Sequence, residues 1–204
     1  VDLRLVLRLL ALVSLSDLPA DIVVTKIDEA LDLATDIERI VGIAPDVRVH
    51  QTSARTGAGV DAFHSTMSAG GTYALMGESG SGKSTLLNAL MKEDLQRTGE
   101  MAHRGGGRQT TTAARLVTLP SGAFIIDTAG FSDHAVVPLE ALVDVFPAIT
   151  ALAASCGFRD CRHDSEPNCA VLASVAAGET PTFLLELYRG LASDAGAGPK
   201  RGRR

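Results

Sequence analysis

Thr72-Tyr73-Ala74-Leu75-Met76 runs into Gly77-Glu78-Ser79-Gly80-Ser81-Gly82-Lys83-Ser84-Thr85, and an apolar helical pattern then continues to Met91. A strand, a glycine-rich turn and Lys-Ser at a helix start are what binding of a triphosphate requires. Glycine lets the backbone curl so that its N–H groups converge on phosphate oxygens. The helix N-terminus adds partial positive charge at the same point. In that frame Lys83 bridges the β- and γ-phosphates and Ser84 ligates Mg²⁺. A flexible glycine-serine linker would not place Lys-Ser-Thr between a strand and an apolar helix. The loop is silent about the base.

Downstream, Phe124-Ile125-Ile126 is an apolar strand that ends on Asp127-Thr128-Ala129-Gly130. Asp127 is expected to hold Mg²⁺ from the strand end, and Gly130 to offer its amide to the γ-phosphate. Thr110-Thr111-Thr112 supplies hydroxyls beyond a glycine-rich stretch, and Thr111 is chosen to complete the magnesium shell.

The base reader lies upstream of the phosphate loop, not after it. Asp21-Ile22-Val23-Val24 reads as a short strand that delivers Thr25-Lys26-Ile27-Asp28 to its C-terminal end. Asp28 can accept from both N1–H and the exocyclic amine of guanine. Adenine has no such donor pair and would leave the carboxylate unpaired. The Lys26 stem covers the base face, and Ser53-Ala54 brings a backbone N–H towards the guanine oxygen. Thr25 stands where Asn is commonest. The parts of a guanine-nucleotide site are thus all present, in circularly permuted order.

Cys156-x4-Cys161-x-His163-x5-Cys169 uses every cysteine of the chain. Three thiolates and an imidazole, closely spaced, suit a closed tetrahedral structural Zn²⁺ site with no open position for chemistry. The alternative is a set of free buried cysteines with an incidental histidine. Such cysteine usage fits a reducing compartment better than a disulfide framework.

The 204 residues are 46% hydrophobic, enough for one α/β domain with a small appendage. No apolar run is long enough for a membrane span, and Leu3 to Leu15 is interrupted by Arg4, Arg8 and Ser14. That stretch reads as an amphipathic helix without a signal-cleavage site, so a cytoplasmic protein is expected. A net charge of −5 argues against general affinity for nucleic acid. Local basic clusters, Arg97 to Arg115 and the tail Lys200 to Arg204, can meet an RNA backbone or can simply be solvated.

Periodicity predicts helices over 31–41, 60–67, 84–91 and 182–191, and strands over 46–50, 72–76, 113–118 and 123–126. A turn is expected at Leu119-Pro120-Ser121-Gly122, and a mobile loop over 98–109. Alternating strands and helices predict a largely parallel, doubly wound α/β sheet with ligand at the strands' C-terminal ends. Residues 1–137 are expected to form the nucleotide domain, 138–192 a small, mainly helical zinc-binding domain, and 193–204 a basic disordered tail.

These residues resemble one family, the circularly permuted small ribosomal subunit-dependent GTPases (RsgA, or YjeQ). The likeness runs from about Asp21 to Tyr188. It includes Gly107-Arg108-Gln109-Thr110-Thr111-Thr112, Asp127-Thr128-Ala129-Gly130-Phe131, Phe146-Pro147, Cys156-Gly157-Phe158-Arg159-Asp160-Cys161-Arg162-His163 and Glu166-Pro167-Asn168-Cys169-Ala170-Val171. The resemblance implies a P-loop NTPase fold, GTP and GDP with Mg²⁺, and hydrolysis stimulated by the small ribosomal subunit. It also implies a role in late maturation of that subunit and contact with its rRNA; we expect a monomer with no membrane contact. Gln109 stands where the family commonly has a switch histidine suspected of helping the attacking water, and is our candidate for that task because Phe131 holds the place of the Ras-type Gln. Asn168 replaces a usual Gly. The family's N-terminal OB-fold and the first strand of its permuted core are not recognisable before Leu3, and Val1 is not an initiator methionine, so a fragment is expected. Continuity of the chain from Phe131 into the metal region makes that region a candidate reporter of γ-phosphate loss.

Two rivals remain at this stage. A transporter-type ATPase shares the phosphate loop but calls for Leu-Ser-Gly-Gly-Gln and a Glu after the strand-end Asp, where Thr128 stands. A non-catalytic, GTP-sensing RNA-binding module would carry the same motifs as the enzyme.

Overall fold

The structure is a computed structural model that describes residues 1–91, 114–128 and 137–196. Gln109, Thr111, Gly130 and the last eight residues of the tail lie outside the described residues. The chain divides into two compact units. Residues Asp21–Asp36 and Arg48–Asp133 make one; Val1–Ala20, Ile37–Val47 and His134–Arg204 make the other.

Strands build the first unit. β1 (Asp21–Val24) pairs parallel with β2 (Arg48–Gln51). β3 (Thr72–Leu75) pairs parallel with β5 (Phe124–Asp127), whose other neighbour is the antiparallel β4 (Arg115–Thr118). The sequence led us to expect one largely parallel sheet. Among the described residues there are two, a β1-β2 pair and a β3-β5-β4 trio. β4 runs antiparallel because only the tight turn at 119–122 separates it from β5. Gly122 takes φ 84 there, and its N–H donates to the Leu119 carbonyl at 2.9 Å.

Helices α3 (Val60–His64) and α4 (Lys83–Met91) pack on these strands. Val60, Phe63 and Met67 meet Leu86, Leu87 and Leu90 together with Val117, Leu119 and Ile125 in one apolar cluster. Helix α3 stops short of the expected Met67. The hydroxyls of Ser65 and Thr66 bond back to the carbonyls of Ala62 and Phe63, both at 2.7 Å, and so compete with helix propagation.

Among its described residues the second unit is built from helices. They are α1 (Leu3–Ser14), α5 (Leu142–Val145) after a 3₁₀ turn (Leu139–Ala141), α6 (Pro147–Ala153), α7 (Ala170–Ala176) and α8 (Thr182–Gly196). α1 is capped by Asp2, whose Oδ1 accepts from the N–H groups of Arg4 and Leu5. It buries Leu7 and Ala11 against the 3₁₀ turn, α5 and α8. α8 continues past the expected Leu191 to Gly196, into the stretch read as tail. Arg4 and Arg8 hold the Asp194 carboxylate, and Arg4 also donates to the Gly190 carbonyl at 3.3 Å. Ion pairs from the far N-terminus thus fix the last turn of the final helix.

Helix α2 (Leu33–Ile43) begins two residues later than expected. Asp32 Oδ1 accepts from the Thr35 N–H at 3.2 Å, in the position of an N-cap, and leaves Leu31 wholly exposed.

Two glycines before α3 separate backbone strain from steric exclusion. Gly57 (φ 81) has open space where a Cβ would stand, whereas at Gly59 (φ 71) a Cβ would lie 1.9 Å from the Gln51 carbonyl oxygen. Gly57→Ala should therefore cost only about 1 kcal/mol, the strain of a left-handed residue. Gly59→Ala should cost more, because β2 must also shift. Thermal denaturation of the two variants checks the order, and equal losses would refute it.

Candidate functional site

The phosphate loop sits between the end of β3 and the start of α4. Gly80 and Gly82 take φ values of 81 and 93, conformations that L side chains rarely adopt. A Cβ on Gly77 would come within 3.0 Å of Ser81 Oγ. The Lys83 ammonium donates to the carbonyls of Gly77 and Glu78 at 2.8 and 2.6 Å, drawing the loop into a ring around one cation. The Leu86 N–H donates to the Gly82 carbonyl at 2.8 Å, so helical bonding begins inside the loop. Ser79, Ser84 and Thr85 lie along the same stretch, the last two in the first turn of α4.

Asp127 reaches this loop through strand register. In the β3–β5 pair it stands opposite Leu75, two residues before Gly77, and the next hydroxyl, Thr128 Oγ1, donates to the Leu75 carbonyl at 2.6 Å. The strand-end carboxylate and the start of the loop thus lie at one end of the sheet.

The upstream segment expected to read the base is tied to the phosphate loop directly. Thr25 Oγ1 donates to the Ser81 carbonyl at 2.5 Å, and the Lys26 ammonium donates to the Gly80 carbonyl at 2.9 Å. Lys26 itself is left-handed, at φ 55. Gly82 faces the same contact, since a Cβ there would meet Thr25 Oγ1 at 3.3 Å. Ile27 donates its N–H to the Thr52 carbonyl, which links the segment to the residues that precede Ser53 and Ala54. Ser53 is fully buried, and its backbone closes a turn with Gly57 and Ala58.

Two groups hold Asp28: Ser53, already a candidate of the site, through its side chain, and Arg55, which the sequence did not single out. The Ser53 side chain hydrogen-bonds it, and so does Arg55, which reaches Oδ2 through Nε at 2.7 Å and Nη2 at 2.5 Å. These bonds, that from Ser53 foremost, hold its carboxyl below the ordinary carboxylate value. Asp28 is therefore ionised and a hydrogen-bond acceptor at neutral pH.

In the helical unit, Cys156, Cys161, His163 and Cys169 offer four ligand atoms within 4.8 Å of one another. Cys156 Sγ lies 3.9 Å from Cys169 Sγ, and His163 Nδ1 lies 3.6 and 3.4 Å from those two sulfurs. Tetrahedral zinc, with its usual bond lengths, requires sulfur–sulfur and sulfur–nitrogen separations of about 3.8 and about 3.5 Å. The donor set and its spacing fit that ion. Burial lowers the His163 pKa and keeps the imidazole neutral, as a ligand must be. Burial also pushes the Cys161 thiol up to about 11, so a metal would have to displace its proton. Cys156 is pushed up by burial too, but backbone N–H bonds from Val171 and Ala170 outweigh this and leave its pKa lowered. Those amides belong to the start of α7, where Cys169 is the N-cap and accepts from Leu172 N–H at 3.4 Å.

A carboxylate absent from our sequence candidates shapes the metal loop. Glu166 accepts backbone N–H bonds from Arg162 at 2.7 Å, Asp164 at 2.8 Å and Ser165 at 3.1 Å. These bonds, led by that from Arg162, lower its pKa to about 2. His163 lies inside this clamp in a left-handed conformation (φ 59), and Arg189 of α8 donates to its carbonyl oxygen. Asn168 is also left-handed, at φ 58, which accounts for a residue tolerant of that region where the resembling family has glycine.

Residues 1–137 match the family model described as RsgA GTPase, two thirds of the chain. The chain belongs to the RsgA GTPase family. Relatives named small ribosomal subunit biogenesis GTPase RsgA share 42% identity over 93% of the chain in Streptomyces avermitilis and 39% over 95% in Methanosarcina acetivorans. Those alignments cover 52% and 53% of the relatives, so the chain spans about half their length. The crystal structure of YjeQ from Thermotoga maritima matches all of the chain and 68% of its own, with a TM-score of 0.68 and 27% identity. These matches bear out the resemblance read from the motifs and the P-loop α/β fold.

Glu166→Ala should weaken zinc binding about tenfold or more by releasing the loop that carries His163, measured by competition with a chromophoric chelator. The clamp's contribution is present above pH 4.5, the ordinary value of the group, and is lost as pH falls towards about 2. Unchanged zinc affinity in the variant would show that the loop holds its shape without Glu166.

Proposed function

We propose that the chain binds GTP and GDP with Mg²⁺, hydrolyses GTP, and assists the late maturation of the small ribosomal subunit in the cytoplasm as a monomer. The observation that carries this reading is the direct bonding of the base-reading segment to the phosphate loop, Thr25 to Ser81 and Lys26 to Gly80. It brings a carboxylate suited to guanine and a loop suited to phosphates to one site, which neither motif alone would require. Membership of the RsgA GTPase family supports the reaction, and the names of the relatives support the partner.

In this reading Gly77 to Thr85 wraps the phosphates, and Lys83 neutralises charge that develops between the β- and γ-phosphates. Ser84, Thr111 and Asp127 would hold the magnesium ion, which would supply charge neutralisation and Lewis-acid polarisation at the phosphates. Gly130 senses the γ-phosphate, and Gln109 orients the attacking water. Thr25, Lys26, Ile27, Asp28, Ser53 and Ala54 select guanine. Cys156, Cys161, His163 and Cys169 hold one structural Zn²⁺. Residues 1–137 carry the nucleotide chemistry, 138–192 carry the metal, and rRNA contact is assigned to the basic stretches Arg97 to Arg115 and Lys200 to Arg204. Among the described residues no helix is long and apolar enough to cross a membrane.

GTP turnover measured with and without purified small subunits tests the proposal. Slow intrinsic hydrolysis, raised at least about tenfold by the subunit, is the expected result. GTP binding without turnover in either condition would favour a sensing module. Gln109→Ala should lower turnover while GTP affinity stays constant, and an unchanged rate would remove Gln109 from the mechanism.

A further inference from the structure

Arg55 belongs to no part of the site as read so far, yet it holds the carboxylate on which base choice depends. The residue stands in a turn whose backbone is closed by four bonds. Ser53 N–H donates to the Ala58 carbonyl and Gly57 N–H to the Ser53 carbonyl, both at 2.8 Å. Thr56 N–H donates to Ser53 Oγ at 3.2 Å, and Ala58 N–H to Thr56 Oγ1 at 3.3 Å. Left-handed Gly57 and Gly59 complete the bend. A rigid turn of this kind delivers its side chain to one place, and here that place is Asp28.

The pairing is one-sided. Nε donates to Oδ2 and Nη2 lies closest to the same oxygen. Guanine offers two parallel donors, N1–H and one hydrogen of its exocyclic amine, and engages them best with both oxygens of a carboxylate fixed in their plane. Nε supplies the hydrogen bond and Nη2 an ion-pair contact, so of the carboxylate's four lone-pair sites enough remain for Ser53 and for two donors of the base. The Asp28 side chain is only 12% exposed while that of Arg55 is 70% exposed, so the arginine reaches the carboxylate from the solvent side and remains hydrated.

We propose that Arg55 is a positioning residue for base recognition: its guanidinium fixes the plane of the Asp28 carboxylate, so that two donors on a purine edge are preferred over one. The inference rests on the guanine reading given above. It assigns Arg55 a share of specificity without contact to the phosphates or to the reacting atoms. The lowered pKa of Asp28 agrees with it, since a carboxylate held ionised keeps both oxygens as acceptors.

Inosine diphosphate lacks the exocyclic amine and is the discriminating probe. Isothermal titration of the full chain with GDP, IDP and ADP is compared for the parent, Arg55→Ala and Arg55→Lys. Arg55→Ala should weaken GDP about tenfold and IDP about threefold, which lowers the GDP-to-IDP preference while the melting temperature holds. Arg55→Lys keeps the charge without the two-nitrogen fork and should fall between. A merely structural arginine would move both nucleotides equally. An unchanged preference in Arg55→Ala would overturn the inference, as would tighter GDP binding, which would mean that the guanidinium competes with the base. Should Arg55→Ala melt early, the preference is read from Arg55→Gln. A parent chain that binds ADP as tightly as GDP would sink the guanine reading itself, and this inference with it.

Discussion

The nucleotide site depends on two bonds between segments that lie far apart in the chain. Thr25 Oγ1 and the Lys26 ammonium donate to successive carbonyls of the phosphate loop, at Ser81 and Gly80. A glycine-rich loop has many conformations to lose on folding. Two outside donors reduce that freedom, and they do so from the segment that also carries Asp28. In the proposed function this couples base reading to phosphate binding through the backbone. Thr25, an uncommon residue at its motif position, uses its hydroxyl for the bond to Ser81, and it is this hydroxyl that faces Gly82.

Strand register does for Asp127, the proposed magnesium ligand, what those bonds do for the proposed base reader. Because β3 and β5 are parallel with Leu75 opposite Asp127, both chain segments finish at the same edge, one as a loop and one as a carboxylate. The separate metal cluster follows a different rule. Its ligands sit on irregular backbone, and two polar side chains, Glu166 and Arg189, supply the order that a helix or sheet would otherwise give.

Much of this was legible in the sequence because the signals are local. The phosphate loop, Asp127 at its strand end and the Cys-His spacing each lie within a short window, and the strands β1, β3 and β5 fall within two residues of their expected bounds. Arg55 and Glu166 escaped notice for a shared reason. Their roles depend on which backbone or carboxylate folds back towards them, and an arginine or glutamate in a turn carries no periodic mark. That β1 and β3 fall in separate sheets among the described residues was equally hidden, since hydrophobic alternation reports a strand without reporting its neighbour. Helix ends were misjudged where side chains intervened, at Asp32 before α2, at Ser65 and Thr66 after α3, and at Asp194 in α8.

The ring that Lys83 closes across Gly77 and Glu78 bears on how its variants should be interpreted. An ammonium bound to two carbonyls of its own loop is part of the loop's frame as well as a partner for phosphate. Removing it deletes a charge and opens a turn at once. A chain altered at Lys83 is then not the same protein minus one catalytic contact; it is a protein with a differently shaped loop, whose silence would say little about hydrolysis by itself. Asp127, held in place by strand pairing, offers the cleaner deletion.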